Sequence, residues 1–378
     1  MKWPRGFAGA GMACRIKPTG EPDLGLLASQ HVTNWAGTFT RNAAAAACVD
    51  WCKSLRGRPV RGLIANSGNA NACTGREGVK AVEVEAEAVA QALECSRDEV
   101  LVASTGPIGV PLPVDKIAAA VPQLVLQLGA GVEPFAGSIL TTDTTIKTSS
   151  ASVGTAGIMG VAKGAAMIAP NMATMLAFVA TDALIDSELQ PLLQDVVHRT
   201  FNRISVDACE STNDCVFLLT SELAEPVASD DFTRALEHVC ADLAKQIVRD
   251  GEGSTRVVRI EIHGATDEPS GIDLAHAVAA SALWRAAAYG GDPNWGRVLS
   301  ALGAKDRDLD LSAIELFIGS ELVFSRGEPV GSSESAAKAM DSDEFTVSCV
   351  VGHGPASVEV LCSDLSPEYV DLNAAGTS

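Results

Sequence analysis

The chain is short of the groups that most enzymes use for acid–base, metal or redox chemistry. Its six histidines are scattered over 378 residues, which leaves little material for a His-based triad or a zinc site. No Cys-x-x-Cys pair occurs, and the nearest approaches are Cys48 with Cys52 and Cys209 with Cys215. Ten cysteines in so long a chain read as buried or idle thiols in a reducing cytoplasm, not as a disulfide framework. Positive charge is also scarce: 28 Lys and Arg against 47 Asp and Glu give a net charge of −19. That balance argues against nucleic acid as a partner, because phosphate neutralisation needs clustered cations. Every long apolar run is interrupted by Pro, Asn or Asp and falls short of a membrane span. The opening MKWPRGFAGAGMACRIK has no continuous apolar core of the signal-peptide kind. The Walker phosphate loop, the dinucleotide GxGxxG, the GxSxG elbow and the HExxH helix are all missing. The expectation is a cytoplasmic protein with no metal or cofactor and no membrane partner.

What is present is small and apolar: 47% of residues are hydrophobic, only 4% aromatic, with many Ala and Gly. The length predicts two domains, or two halves of one large layered domain. Short apolar runs at 26–28, 36–40 and 60–65 predict strands, and the last leads into Asn66-Ser67-Gly68-Asn69-Ala70-Asn71, which should be irregular. Helix formers predict a helix over 77–95, and 100–104 reads as a buried strand ending at Thr105-Gly106. A strand that ends in such a turn exposes backbone N–H groups, a common way to hold an oxyanion. Further helices are predicted over 116–128, 186–201, 231–249 and 274–289. In the third, Phe232, Leu236, Val239, Leu243 and Ile247 form one stripe, with Asp230 or Asp231 as its cap. Late strands are predicted at 257–262, 314–318, 345–351 and 357–362. The interleaving gives an α/β (α+β) layered architecture.

The segment Gly160–Ala183, GVAKGAAMIAPNMATMLAFVATDA, carries Lys163 at its head and one hydroxyl, Thr174, between Ala173 and Met175. Gly160, Gly164 and Pro170 predict a loop in its first half, and 172–181 predicts a buried strand or the start of a core helix. Thr174 can be an ordinary β-branched strand residue. It can also be a nucleophile that needs no histidine. If the bond before it is broken, its own α-amine, with an ordinary pKa of about 7.7–8.0, serves as base for its hydroxyl.

PNMATML (170–176), preceded by GVAKGAAMIA, closely resembles the self-cleaving site of the ornithine acetyltransferase/glutamate N-acetyltransferase family. The likeness runs the length of the chain, through GFAGAGMACRIK, FTRNAAAAACV, ANSGNANACTG, ASTGPIG, LTTDT, FNRISVDACESTND, VRDGEGST, GGDPNWGR and CSDLSPEYVDLN, in that order. The resemblance implies a DmpA-like layered sandwich in which two chains share one core. Cleavage between Ala173 and Thr174 would leave an α chain of residues 1–173 and a β chain of residues 174–378. Thr174 would accept an acetyl group from N-acetylornithine and pass it to glutamate, with acetyl-CoA as a second donor left open. Thr105 and Gly106 match the oxyanion hole. Thr141, Lys163, Thr174, Glu252, Asn373 and Ser378 match the positions that hold the amino-acid substrate. Lys163 suits a carboxylate and Glu252 a side-chain ammonium, the two ends of ornithine. An α2β2 heterotetramer is expected on the same grounds.

Three departures from the family pattern bear on substrate identity. Arg285-Ala286 stands where a Lys-Thr pair is usual, Gly376 takes the place of an aromatic near the end, and Ala166 replaces a Gly. GGDPNWGR, with Asp292, Asn294 and Arg297, reads as a structural turn near the site. The alternatives are a paralogue with another amino-acid substrate or with hydrolase activity, and an uncleaved amino-acid-binding protein.

Overall fold

A computed structural model describes residues 1–169 and 175–375. Two sheets organise it. The first has eight strands, in the order Val100–Thr105, Val60–Ser67, Leu24–Phe39, Cys215–Thr220, Leu176–Thr181, Ala156–Lys163 and Lys147–Val153, with Phe7–Met12 paired to the first half of the long strand. The second has seven, in the order Glu328–Pro329, Glu321–Ser325, Glu315–Ile318, Glu344–Val350, Val257–Ala265, Ala356–Ser363 and Ile204–Ser205.

Helices lie on both faces of the first sheet, and the strands show it. In Leu176–Thr181, Leu176, Phe178 and Ala180 join the core shared with the helices Ala47–Ser54, Gly75–Leu93 and Val114–Val125. The alternate residues Ala177 and Val179 join the core under Leu189–Arg199 and Ser229–Arg249. A strand covered on both faces has no use for polar alternation, so LAFVAT and CVFLLT read as continuous apolar runs. A third core packs the second sheet against Glu268–Ala279, Ala282–Gly290 and Trp295–Lys305. The result is the layered α+β sandwich expected.

The local differences have physical reasons. Residues 26–28 and 36–40 belong to one 16-residue strand, Leu24–Phe39. Gly160 does not break the chain into a loop but lies within Ala156–Lys163. A Cβ there would come within 2.7–2.8 Å of Leu243 and Val239, so the glycine admits the long helix against the sheet. That helix, Ser229–Arg249, is preceded by Ala228 and has no side-chain cap, although Asp230 and Asp231 occupy its first turn. The span 274–289 divides into Glu268–Ala279 and Ala282–Gly290, and the Ser281 side chain caps the second by accepting from the Trp284 N–H.

The two middle strands of the first sheet, Leu176–Thr181 and Cys215–Thr220, run parallel. They are flanked by Ala156–Lys163 on one side and Leu24–Phe39 on the other. Leu176 is in register with both Lys163 and Cys215, and Cys215 with Phe39. One end of the sheet therefore gathers Lys163, Met175 and Asp214.

Candidate active site

Thr105 ends its strand beside Ser67, and its carbonyl oxygen accepts the Asn69 N–H at 3.0 Å. The next residue, Gly106, has φ +138°, and a Cβ there would lie 2.4 Å from the Asn69 nitrogen. No other residue fits, and the turn closes only because glycine tolerates this backbone. The facing loop is held by its own asparagines: Asn66 Nδ2 donates to Asn69 O at 2.9 Å, and Asn71 N–H to Asn69 Oδ1 at 2.8 Å. Asn71 adopts φ +48°, in the left-handed region asparagine tolerates. Asn66 and Ser67 still belong to the strand Val60–Ser67, so the irregular stretch begins later than the Asn/Gly pattern predicts.

Lys163 is buried at the sheet end, and its Nζ donates to Thr105 Oγ1 at 3.2 Å. Thr105 thereby keeps its own hydroxyl hydrogen free to donate elsewhere. Burial lowers the Lys163 pKa, and Asp143, with Oδ2 at 3.9 Å, opposes that shift. Asp143 is the centre of a buried ionic cluster. Its carboxylate accepts from Lys147 Nζ at 2.7 Å, from the Gly164 N–H at 2.6 Å and from the Thr141 N–H at 3.1 Å. Lys147 also pairs with Asp250, which accepts from Thr144. Burial alone would raise the Asp143 pKa, but Lys163 and Lys147 hold it at about 2.

Of the residues singled out in the sequence, Thr105, Gly106, Thr141, Lys163 and Asn373 line one cavity. Glu252 sits across a wall: it lines an adjoining cavity that shares Thr142 and Asn373 with the first, and Asn373 Nδ2 donates to its Oε2 at 2.7 Å. Gly253, at φ +64°, brings the helix Pro367–Ala375 close, since a Cβ there would be 2.4 Å from the Tyr369 nitrogen. A cation and a carboxylate thus line two adjoining cavities that meet at Thr142 and Asn373. Ala173, Thr174, Gly376 and Ser378 lie outside the described residues.

Several polar residues at this site have no motif signal of their own. Asn213 spans two elements, donating to Ala70 O at 2.6 Å and to Ser104 O at 2.8 Å. Asp214 is fully buried and accepts the Met175 N–H at 3.0 Å, while its second oxygen has no partner among the described residues. Burial raises its pKa well above the usual carboxylate range, with Lys163 acting against the shift. Asp207 lines the cavity and accepts from three backbone N–H groups, Met167, Ile168 and Cys209. All three lie in blocks that the family resemblance highlights, and only their contacts distinguish them.

Arg285 is not at the cavity. It is buried, and its guanidinium donates to Ser363 O and Asp364 O at 2.9 Å each, fastening one helix to the end of a strand. The Arg285-Ala286 departure therefore bears on packing more than on substrate contact. GGDPNWGR is a structural turn, joining Ala282–Gly290 to Trp295–Lys305 with Arg297 donating to Leu283 O, but none of its residues lines the cavity. Among the described residues, no group of His, Cys, Asp or Glu could hold a metal ion, and no helix is long and apolar enough to cross a membrane.

The chain resembles known proteins over its whole length. It is 42% identical over 388 residues to the arginine biosynthesis bifunctional protein ArgJ of Thermus thermophilus, with 100% of both chains covered. It is also 42% identical over 388 residues to a glutamate N-acetyltransferase of Methanopyrus kandleri, covering 99% of each. Among solved structures, arginine biosynthesis bifunctional protein ArgJ from Bacillus halodurans matches at 36% identity and a TM-score of 0.51, over 53% of this chain and 98% of its own. The ArgJ family model matches residues 8–378. With the fold, the ordered blocks and the full-length identity in agreement, this chain belongs to the ArgJ family.

Proposed function

We propose that this protein divides itself between Ala173 and Thr174 and then moves an acetyl group from N-acetylornithine to glutamate through an acetyl-Thr174 intermediate. The observation that carries this reading is the convergence, at the sheet end where the chain enters Met175, of a buried ammonium on the Thr105 hydroxyl with the Gly106 turn beside it. Family membership supplies the reaction class.

In self-cleavage the Thr174 hydroxyl oxygen attacks the Ala173 carbonyl carbon. The C–N bond breaks, the nitrogen leaves as the Thr174 α-amine with a proton, and an ester links the fragments. Water hydrolyses that ester, giving a carboxylate on Ala173 and restoring the hydroxyl. In transfer the α-amine takes the hydroxyl proton as the oxygen attacks the acetyl carbon of the donor. The Thr105 hydroxyl and the Gly106 N–H are the donors for the oxyanion, and such donors supply roughly 3–4 kcal/mol each. Lys163 strengthens Thr105 as a donor by placing positive charge on its oxygen. The acetyl C–N bond then breaks, the proton passes to the departing amine, and ornithine leaves. The α-amine of glutamate attacks the acetyl ester and regenerates Thr174. Thr141, Lys163, Thr174, Glu252, Asn373 and Ser378 are assigned to the amino-acid substrate, with Glu252 facing a side-chain ammonium. An assembly of two α and two β chains is part of the same reading.

Intact mass under denaturing conditions tests it. Two chains of 173 and 205 residues are expected, with an acetyl adduct on the second after N-acetylornithine is added, discharged by glutamate. Acetyl-CoA supplied instead tests it as a second donor. Thr174→Ala should give one whole chain without transfer. Turnover by that variant would refute the assignment.

A further inference from the structure

We propose that the stretch from Val206 to Asp214 sets up self-cleavage: its two end carboxylates, Asp207 and Asp214, grip the flanks of the segment that holds the scissile bond. The inference rests on the reading that the bond between Ala173 and Thr174 is broken, and goes beyond it by naming what fixes the chain for the attack.

On the upstream flank, Asp207 Oδ2 accepts the Met167 N–H at 2.5 Å and its Oδ1 accepts the Ile168 N–H at 2.8 Å. The grip is returned through the backbone, since Ile168 O accepts from the Val206 N–H at 2.8 Å and the Asp207 N–H at 3.3 Å. One residue pair earlier, Ala165 O accepts from the Glu252 N–H at 2.8 Å. On the downstream flank, Asp214 Oδ1 accepts the Met175 N–H at 3.0 Å, and Met175 O accepts from the Cys215 N–H at 3.2 Å. The chain running from Ile168 to Met175 is therefore tied at both ends to one neighbouring stretch.

Strain marks the same place. Met167 has φ +57° and Ala208 φ +59°, both in the left-handed region that residues with a side chain rarely adopt. Each sits against Asp207: Met167 gives it a hydrogen bond, and Ala208 is the centre of the turn that Asp207 closes by accepting from the Cys209 N–H at 3.2 Å. Backbone strain of this kind persists only where the surroundings over-determine the conformation. An acyl shift from nitrogen to oxygen needs the hydroxyl oxygen held against the preceding carbonyl carbon, and fixed ends reduce the conformations that compete with that approach. Asp207 and Asp214 act through the backbone they hold, as positioning residues. On the proposed division both belong to the β chain while Met167 and Ile168 belong to the α chain, so the upstream grip would also hold the new α-chain end after cleavage.

The test follows conversion of freshly synthesised full-length chain into two fragments over time on denaturing gels. Asp207→Asn, Asp207→Ala and Asp214→Asn are compared with wild type, and Glu85→Gln serves as a buried-carboxyl control. Near-ultraviolet circular dichroism of each variant in a Thr174→Ala background reports folding. Asp207→Asn, nearly isosteric, should fold and divide about tenfold or more slowly, a barrier increase of about 1.4 kcal/mol. Asp207→Ala should be slower still, Asp214→Asn should also be slowed, and Glu85→Gln should match wild type. Hydroxylamine, which cleaves an ester but not an amide, should leave the Asp207→Asn chain whole because the shift has not occurred. A folded Asp207→Asn chain that divides within about twofold of the wild-type rate overturns the inference. So does one that hydroxylamine cuts as fast as wild type. If wild type itself stays whole, the underlying reading fails, a different result from equal rates.

Discussion

Replacing Glu85 by Gln offers a direct measure of what the first core costs. Glu85 lies on the helix Gly75–Leu93, is fully buried, and neither carboxyl oxygen has a hydrogen-bond partner among the described residues. Burial raises its pKa from 4.5 to about 8. The folded chain therefore keeps this proton at neutral pH while the unfolded chain releases it. For a carboxyl raised in this way, the stability it contributes is fully present below the unfolded pKa and is lost as pH rises through the folded one. Each pH unit inside that window costs about 1.4 kcal/mol. Between about pH 5 and pH 7, wild type should lose roughly 2.5 kcal/mol through this group alone. Glu85→Gln has no such loss. The variant-minus-wild-type difference should grow by that amount over the interval and level off above about pH 8. Paired urea titrations at several pH values measure it, and taking the difference cancels the other titrating groups. A difference that stays constant from about pH 5 to pH 9 would refute the argument, whatever its absolute value.

Asp143→Asn leaves Lys147 and Lys163 buried without their shared carboxylate and should cost about 3–5 kcal/mol in a denaturant titration. The same group contributes stability above about pH 4 that is lost as pH falls through about 2, so the variant's deficit should narrow in acid. Gly106→Ala puts a methyl 2.4 Å from the Asn69 nitrogen at a φ of +138°, and should abolish both fragment formation and adduct formation, read by intact mass. Lys163→Met should lower the rate of acetyl-adduct formation by roughly two to three orders of magnitude, through weakened donation from Thr105, with the fold retained by circular dichroism.

The parts of this molecule that local chemistry controls are legible in its sequence. The stripe from Phe232 to Ile247 is the face that meets the first sheet, and all five of its residues are buried. Thr105-Gly106 is a strand-end turn whose glycine requirement follows from the backbone alone. What the sequence hides is decided by approach in space. Gly160 looks like a breaker because nothing local says that Val239 and Leu243 will press on it. Lys147 and Asp143, four apart, resemble a surface pair, yet both are buried because Lys163 and Asp250 arrive from elsewhere. The break at Ser281 is a cap signal inside an Ala-rich run, weak beside the helix propensity around it. Glu252 and Asn373 meet only when the chain end returns to the Gly253 turn.

The placement of the two parallel strands in the middle of the first sheet has a consequence for the life history of the protein. Severed between residues 169 and 175, the chain would leave those strands clasped on both edges by strands of the other fragment. The fragments could part only by breaking the sheet on both sides of this pair. On the proposed division, assembly would have to precede scission, because the intact connection brings partners that are distant in sequence into one reaction volume. Once cut, the molecule holds a shape it could reach as one chain but has poor means to regain as two. On the same reading its unfolding and refolding curves should show hysteresis: the denatured whole chain returns, the denatured divided protein does not. Such a protein ages in one direction, and its persistence is set by how slowly it opens.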